Sequence, residues 1–200
     1  MARYGKDHKQ ATRRRIIDVA GRRLKRDGIE GSGIATLMAD AGLTNGAFYA
    51  HFDSKEDLIA NTLAGQLREQ RESFSTMSIE QIVRSYLSVE HRESPEVSCP
   101  SSALLDEIGR STDTTKRAYT DGLLGVIDDV AARLAPENPL SARVKTLSVF
   151  ALMVGTLQLS RALADRQLAS EVLEQGIRNA LALLGAEGPS RRTGGDRSAS

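Results

Sequence analysis

The chain has 200 residues, 40% hydrophobic and 26% charged, with a formal net charge of +1, enough apolar matter for a buried core under an ordinary solvated surface. No run approaching eighteen apolar residues stands out, and the opening MARYGKDHKQ lacks the apolar centre of a secretory leader, so a soluble cytoplasmic protein with no membrane partner is expected. The single cysteine, Cys99, excludes an intramolecular disulfide and fits a reducing compartment.

The small net charge hides an asymmetry. Residues 1–27 hold ten Lys and Arg against three Asp, leaving the remainder net acidic. One end therefore suits a polyanion, although a solvated helix face would produce the same count. Residues 1–11, with Arg3, Lys6 and Lys9, read as a flexible basic arm able to follow a phosphate backbone. From Thr12 to Arg26, Ile16, Ala20 and Leu24 recur at helical spacing with Ile17 beside them, and Asp27-Gly28 stops the helix. Ser32 or Gly33 opens a second helix that buries Ile34, Leu37, Met38 and Ala41 and ends at Gly42. Thr44 caps a third, short helix over 45–51. Ser54 and Asp57 then form a capping-box pattern ahead of Leu58, Leu63 and Leu67.

Two short helices joined by a Gly-containing turn and braced by a basic helix make a helix-turn-helix, whose second helix enters the major groove of DNA. Three of the chain's eight aromatic residues fall in that short helix or just after it. Phe48 and Phe52, four apart, share a face and anchor it. Gly46 and Ala47 allow close approach to base edges, while Tyr49, His51 and Lys55 supply donors for phosphate oxygens.

The run from Ile34 to Leu58, with its Gly46-x-x-Tyr49-x-His51-Phe52-x-Ser54-Lys55-Glu56 centre, resembles the DNA-binding domain of the tetracycline-repressor (TetR) family over residues 12–60. The resemblance implies an all-α protein with an N-terminal three-helix helix-turn-helix domain and a larger helical effector-binding and dimerisation domain. It implies a homodimeric transcription factor, usually a repressor, released from double-stranded DNA by a small molecule. It further implies phosphate contacts at Thr44, Tyr49, His51 and Lys55, with Asn45, Gly46 and Ala47 near the bases. Asn45 stands where Lys is common in the family, which exchanges a phosphate contact for adenine-type recognition. Gly33 lacks the hydroxyl often found at its position, so no contact is carried over there.

Residues 61–185 form the second domain, with helices read at 78–90, 100–110, 114–134, 141–165 and 168–184, and residues 186–200 a disordered Gly/Ser-rich tail. In the last two helices, Ser148, Ala151, Gly155, Leu159 and Ala162 line one face, and Leu173, Ile177, Leu181 and Leu184 line another. Both are assigned to a dimeric four-helix interface. The chemistry of an enzyme is missing: no phosphate loop, nucleophile elbow or dinucleotide fingerprint is present, and His8, His51 and His91 are too dispersed for a metal site. No cofactor is expected. Candidate effector contacts are Tyr86, Cys99, Tyr119, Gln158 and Arg161, around a moderately apolar ligand. Pro100 places Cys99 at or beside a helix N-cap, which favours a thiolate and leaves two alternatives open: a thiol that senses electrophiles or oxidants, or simple packing. An architectural DNA-binding protein without an effector is the other alternative.

Overall fold

The computed structural model describes residues 2–185; the 186–200 tail lies outside the described residues. Among them the secondary structure is entirely helical. The first helix, α1, runs unbroken from Ala2 to Asp27. The segment read as a flexible arm is therefore a helical extension: nothing between residues 2 and 12 ends a helix, and basic side chains are themselves good helix formers. Gly28, at φ +81°, stops α1.

The second helix, α2 (Ile34–Asp40), starts from Gly33, which offers no capping side chain. Ser32 is fully buried and donates to the Gly28 carbonyl instead. Gly42 closes the end of α2 at φ +67°, with the Arg15 guanidinium resting against it; a Cβ there would come within 2.6 Å of that group. The third element, Asn45–Ala50, is a 3-10 helix and not an α-helix. Next, α3 (Lys55–Ser75) is capped by the Ser54 hydroxyl, which accepts the Asp57 amide. The reciprocal contact of the capping box is displaced by one residue, because the Asp57 carboxylate accepts from Asp53 N–H.

The stretch read as one helix over 78–90 divides at Leu87 into α4 (Ile79–Tyr86) and α5 (Val89–Glu93), each with its own serine cap, Ser78 and Ser88. A single 3-10 turn over Pro95–Val97 leads to α6 (Pro100–Arg110). Three long helices follow: α7 (Asp113–Leu134), α8 (Pro139–Ala162) and α9 (Arg166–Leu184).

Two apolar cores result. One gathers Ile16, Leu24, Leu37, Phe48, Phe52, Leu58 and Leu63 of the first four elements and reaches Leu104, Ile108 and Tyr119 of α6 and α7. The other lies among α4, α7, α8 and α9. Leu123 of α7 touches both, so the two cores meet along that helix. The second core corrects the assignment of α9: Leu173, Leu181 and Leu184 are buried within the chain and Ile177 packs against them. The α8 stripe is different. Ser148, Ala151, Gly155, Leu159 and Ala162 are all exposed, and Val144 extends the row at 71% exposure.

That stripe also corrects the reading of apolar runs. α8 is long and apolar enough, by length and composition, to cross a membrane, with a mean hydropathy of 1.4 and 39% of its most apolar stretch buried. Interspersed Ser, Thr and Gly had masked its continuity.

Candidate DNA-binding surface and effector cleft

Phe48 and Phe52 anchor the 3-10 helix. Both are buried, with ring centroids 5.7 Å apart. Tyr49 meets Phe48 edge-on at 5.2 Å yet remains 68% exposed. Thr44, Asn45, Gly46 and Ala50 are exposed and Ala47 is half-buried, so this short element turns its polar and small residues outward together. Thr44 occupies the N-cap position without using its hydroxyl as a cap. A Cβ added at Gly46 would meet nothing within 4 Å. The glycine there keeps the outer surface low; it does not relieve internal crowding.

Two expected phosphate contacts, His51 and Lys55, are half-buried. The Lys55 ammonium donates to the Ile29 carbonyl at 2.7 Å, fastening α3 to the turn behind α1. His51 is half-buried, and its Nδ1 makes no hydrogen bond among the described residues. Burial lowers its pKa, and the neighbouring Lys9 and Arg13 charges lower it further. Arg13, not singled out in the sequence, lies beside this element: its guanidinium stacks over the Phe52 ring at 4.7 Å. Arg23, also on α1, braces α2 by an ion pair with Asp40 at 2.6 Å.

The five residues proposed from sequence to meet an effector do not converge. Tyr86 and Cys99 line one cleft of about 430 Å³, together with Lys25, Gln66, Gln70 and Phe74. Tyr119 lies apart in the other core, its hydroxyl 2.8 Å from Ser101 Oγ and its pKa pushed up to about 12 by burial. Gln158 is exposed on the outer side of α8. Arg161 is a structural clamp: its guanidinium donates to the carbonyls of His91, Arg92 and Ser102 and to the Ser98 hydroxyl.

Cys99 is the N-cap of α6, with Pro100 at the first helical position. It is 8% exposed, and its thiol points to Gln70 Oε1 at 3.1 Å, not to the helix N–H groups. Its backbone amide donates to His91 Nε2 at 3.2 Å, so the ring proton sits on Nδ1 and is donated to the Tyr86 carbonyl at 2.6 Å. Burial, with Arg161 and Lys25 nearby, holds the His91 pKa below its ordinary value. Lys25 reaches from α1 to the Ser98 carbonyl at 2.8 Å, and burial brings its pKa down to about 8. No group of three or more His, Cys, Asp or Glu side chains suited to a metal ion occurs among the described residues.

A basic first helix, a short second helix, a tight glycine turn and an outward-facing third element form a helix-turn-helix, followed by a larger helical region. Residues 16–62 match the family described as bacterial regulatory proteins, tetR family. The HTH-type transcriptional regulator AcrR of Shigella flexneri is 40% identical over 60 residues, covering 30% of this chain and 28% of that one. The chain thus aligns with under a third of that relative's length. Among solved structures, reduced NemR of E. coli has a TM-score of 0.69 at 19% identity, covering 85% of this chain and 95% of that one. The Bacillus subtilis regulator FadR, solved in complex with stearoyl-CoA, has a TM-score of 0.61 at 15% identity, covering 85% and 96%. At those identities the likeness is one of fold. Over residues 16–62, then, the chain is similar to the tetR family of bacterial regulatory proteins.

Proposed function

We propose that the protein is a cytoplasmic transcriptional regulator, not an enzyme: a homodimeric repressor that places two 45–50 helices in successive major grooves of a pseudo-palindromic operator and is released by a small molecule. The observation that carries this reading is the outward row Thr44, Asn45, Gly46 and Tyr49, mounted on the buried Phe48–Phe52 pair inside a tetR-family domain. Thr44, Tyr49, His51 and Lys55 hold phosphates in this proposal, and Asn45, Gly46 and Ala47 lie against base edges. Lys55 keeps this role despite its bond to Ile29, since an ammonium has three protons to donate.

The exposed α8 stripe supports the dimer. Val144, Ser148, Ala151, Gly155 and Leu159 follow a three-and-four spacing, and a Cβ at Gly155 would meet nothing within 4 Å. Small residues in such a row let a second helix approach closely. FadR, bound to stearoyl-CoA, is a protein of this fold that holds a small molecule, and the cleft beside Tyr86 gives this chain room for one.

Selection of duplexes from a random library by the full chain tests the proposal. Enriched sites should carry inverted half-sites centred about 34–36 Å apart, one helical turn of DNA. Absence of any enriched sequence, or specific binding by a protein that sediments only as a monomer, would overturn it.

A further inference from the structure

One peptide group in the turn behind α1 is held at both ends by charged side chains. The peptide between Ile29 and Glu30 offers its carbonyl to the Lys55 ammonium at 2.7 Å and its N–H to the Glu107 carboxylate at 3.3 Å. The same carboxylate oxygen accepts the Ile29 N–H at 2.7 Å. A trans peptide is planar and rigid, with its N–H and C=O on opposite sides. Whatever fixes the N–H end of that plane therefore aims its carbonyl. The charges suit it too: the anion meets the positive end of the peptide dipole and the cation the negative end, so each bond polarises the other.

The partners come from separate parts of the chain. Lys55 is the first residue of α3, directly after the Ser54 cap and shortly after the 45–50 element. Glu107 belongs to α6, 78 positions from Ile29. Gly28 makes room for its carboxylate, since a Cβ there would come within 2.9 Å of Glu107 Oε1. Leu104 and Ile108, on either side of Glu107 in α6, are buried in the same core as the Ile29 side chain. The carboxylate is thus carried on a packed helix and set against a packed turn.

A lysine side chain free in water loses rotamer freedom on meeting a phosphate, and one already held loses less. The bond to Ile29 holds Lys55, and an ammonium with three protons keeps capacity for a phosphate oxygen. We propose that Glu107 is a positioning residue for DNA binding: by fixing the Ile29–Glu30 peptide, it presents the Lys55 ammonium to a backbone phosphate. This rests on the reading of the protein as a DNA-binding regulator with Lys55 at a phosphate, and it adds a residue from outside the helix-turn-helix. Glu107 itself touches no DNA; it acts through the peptide and Lys55.

The test is a double-substitution cycle on the full chain, read as affinity for duplexes selected from a random library. Loss of an acidic group by itself strengthens attraction to a polyanion, so a loss of affinity reports on positioning. Glu107→Ala should weaken binding about three- to tenfold, and Glu107→Gln, which keeps an acceptor, should recover most of it. In a Lys55→Ala background, Glu107→Ala should change affinity by less than about twofold. Should Glu107→Ala lose helicity, Glu107→Asp, which draws the carboxylate back by one methylene, takes its place in the cycle. A merely structural role would give the same loss in both backgrounds, and that result overturns the proposal. So does unchanged affinity in Glu107→Ala, or a Glu107→Gln as weak as Glu107→Ala. Those results, with wild type still binding its selected duplexes, leave the regulator reading standing; a wild type that binds no duplex specifically removes that reading instead.

Discussion

The carboxylate of Glu107 accepts the backbone amide of Ile29 at 2.7 Å, joining α6 to the turn behind α1 across 78 positions of sequence. The same carboxylate accepts the Glu30 amide at 3.3 Å, so one side chain satisfies two donors that the left-handed turn at Gly28 leaves exposed. Glu107→Ala should destabilise the chain by about 1–2 kcal/mol, a fall in Tm of roughly 2–8 °C for this length. Glu107→Gln, which still accepts through one oxygen, should lose less. Scanning calorimetry of the two variants checks the order, and equal values would mean that the charge, not the acceptor geometry, matters.

Contacts of two kinds should separate on DNA. Tyr49→Phe and Lys55→Ala should weaken binding to all duplexes alike, with Lys55→Ala lowering the salt slope by about one. Lys55→Ala should also cost stability, because its bond to Ile29 is lost. Asn45→Ala should change preference at one base position by roughly 1–3 kcal/mol. Titrations over a base-substituted set of selected duplexes distinguish these outcomes; a uniform loss with Asn45→Ala removes its base-reading role.

The exposed α8 row gives a prediction about assembly. Ala151→Glu places a charge in the centre of that row without entering the chain's own core, since Ala151 is exposed. Monomers should dominate at micromolar concentration in equilibrium sedimentation, and helicity should be unchanged. Leu173→Glu, by contrast, should unfold the protein, because Leu173 is buried. A dimer that survives Ala151→Glu would move the interface elsewhere.

Acid should loosen the cleft through His91. Its folded pKa is held below the ordinary value of 6.5, chiefly by burial, so the neutral ring contributes stability fully above about pH 6.5. That contribution is lost as the pH falls through the lowered folded value. Protonated Nε2 can no longer accept the Cys99 amide. His51 is shifted in the same direction and contributes in the same window. Urea unfolding at pH 7 and pH 5 should therefore show a smaller acid penalty in His91→Gln than in wild type, with His51 common to both. Identical pH dependence would deny His91 this role.

The thiol of Cys99 should behave as a packed group. Buried and directed at Gln70, it should react with iodoacetamide at least about tenfold more slowly in the native protein than in denaturant. Fast native alkylation, with release from selected duplexes that Cys99→Ser abolishes, would reinstate electrophile sensing.

How much of this was legible in the sequence follows from the range of the interactions involved. The helix-turn-helix rests on local signals: Gly28 and Gly42 at positive φ, the Ser54 cap, and aromatic residues four apart. Gln158 and Leu157 are neighbours in a run of apolar and small residues, yet one is exposed and the other fully buried. Periodicity identifies a stripe but not what covers it, which is also why Leu173 and Leu181 of α9 were placed at an interface. Of the cleft, the sequence suggests only Tyr86 and Cys99. The cleft depends on Lys25 meeting Ser98 across 73 positions and on which side chains are left without partners. The charge of residues 1–11 was read as disorder because composition carries no information about a helix that simply continues.

The 3-10 form of residues 45–50 would set the gauge of the proposed DNA-reading element. At about 2.0 Å per residue its six residues span roughly 12 Å, against about 9 Å for the same residues wound as an α-helix. With three residues per turn, Gly46 eclipses Tyr49. In the proposed complex, a duplex advancing 3.4 Å per nucleotide of each strand would meet Asn45 and Tyr49 about two to three steps apart. Changing the winding of this one element would shift the spacing of the letters it can inspect while leaving every side chain the same.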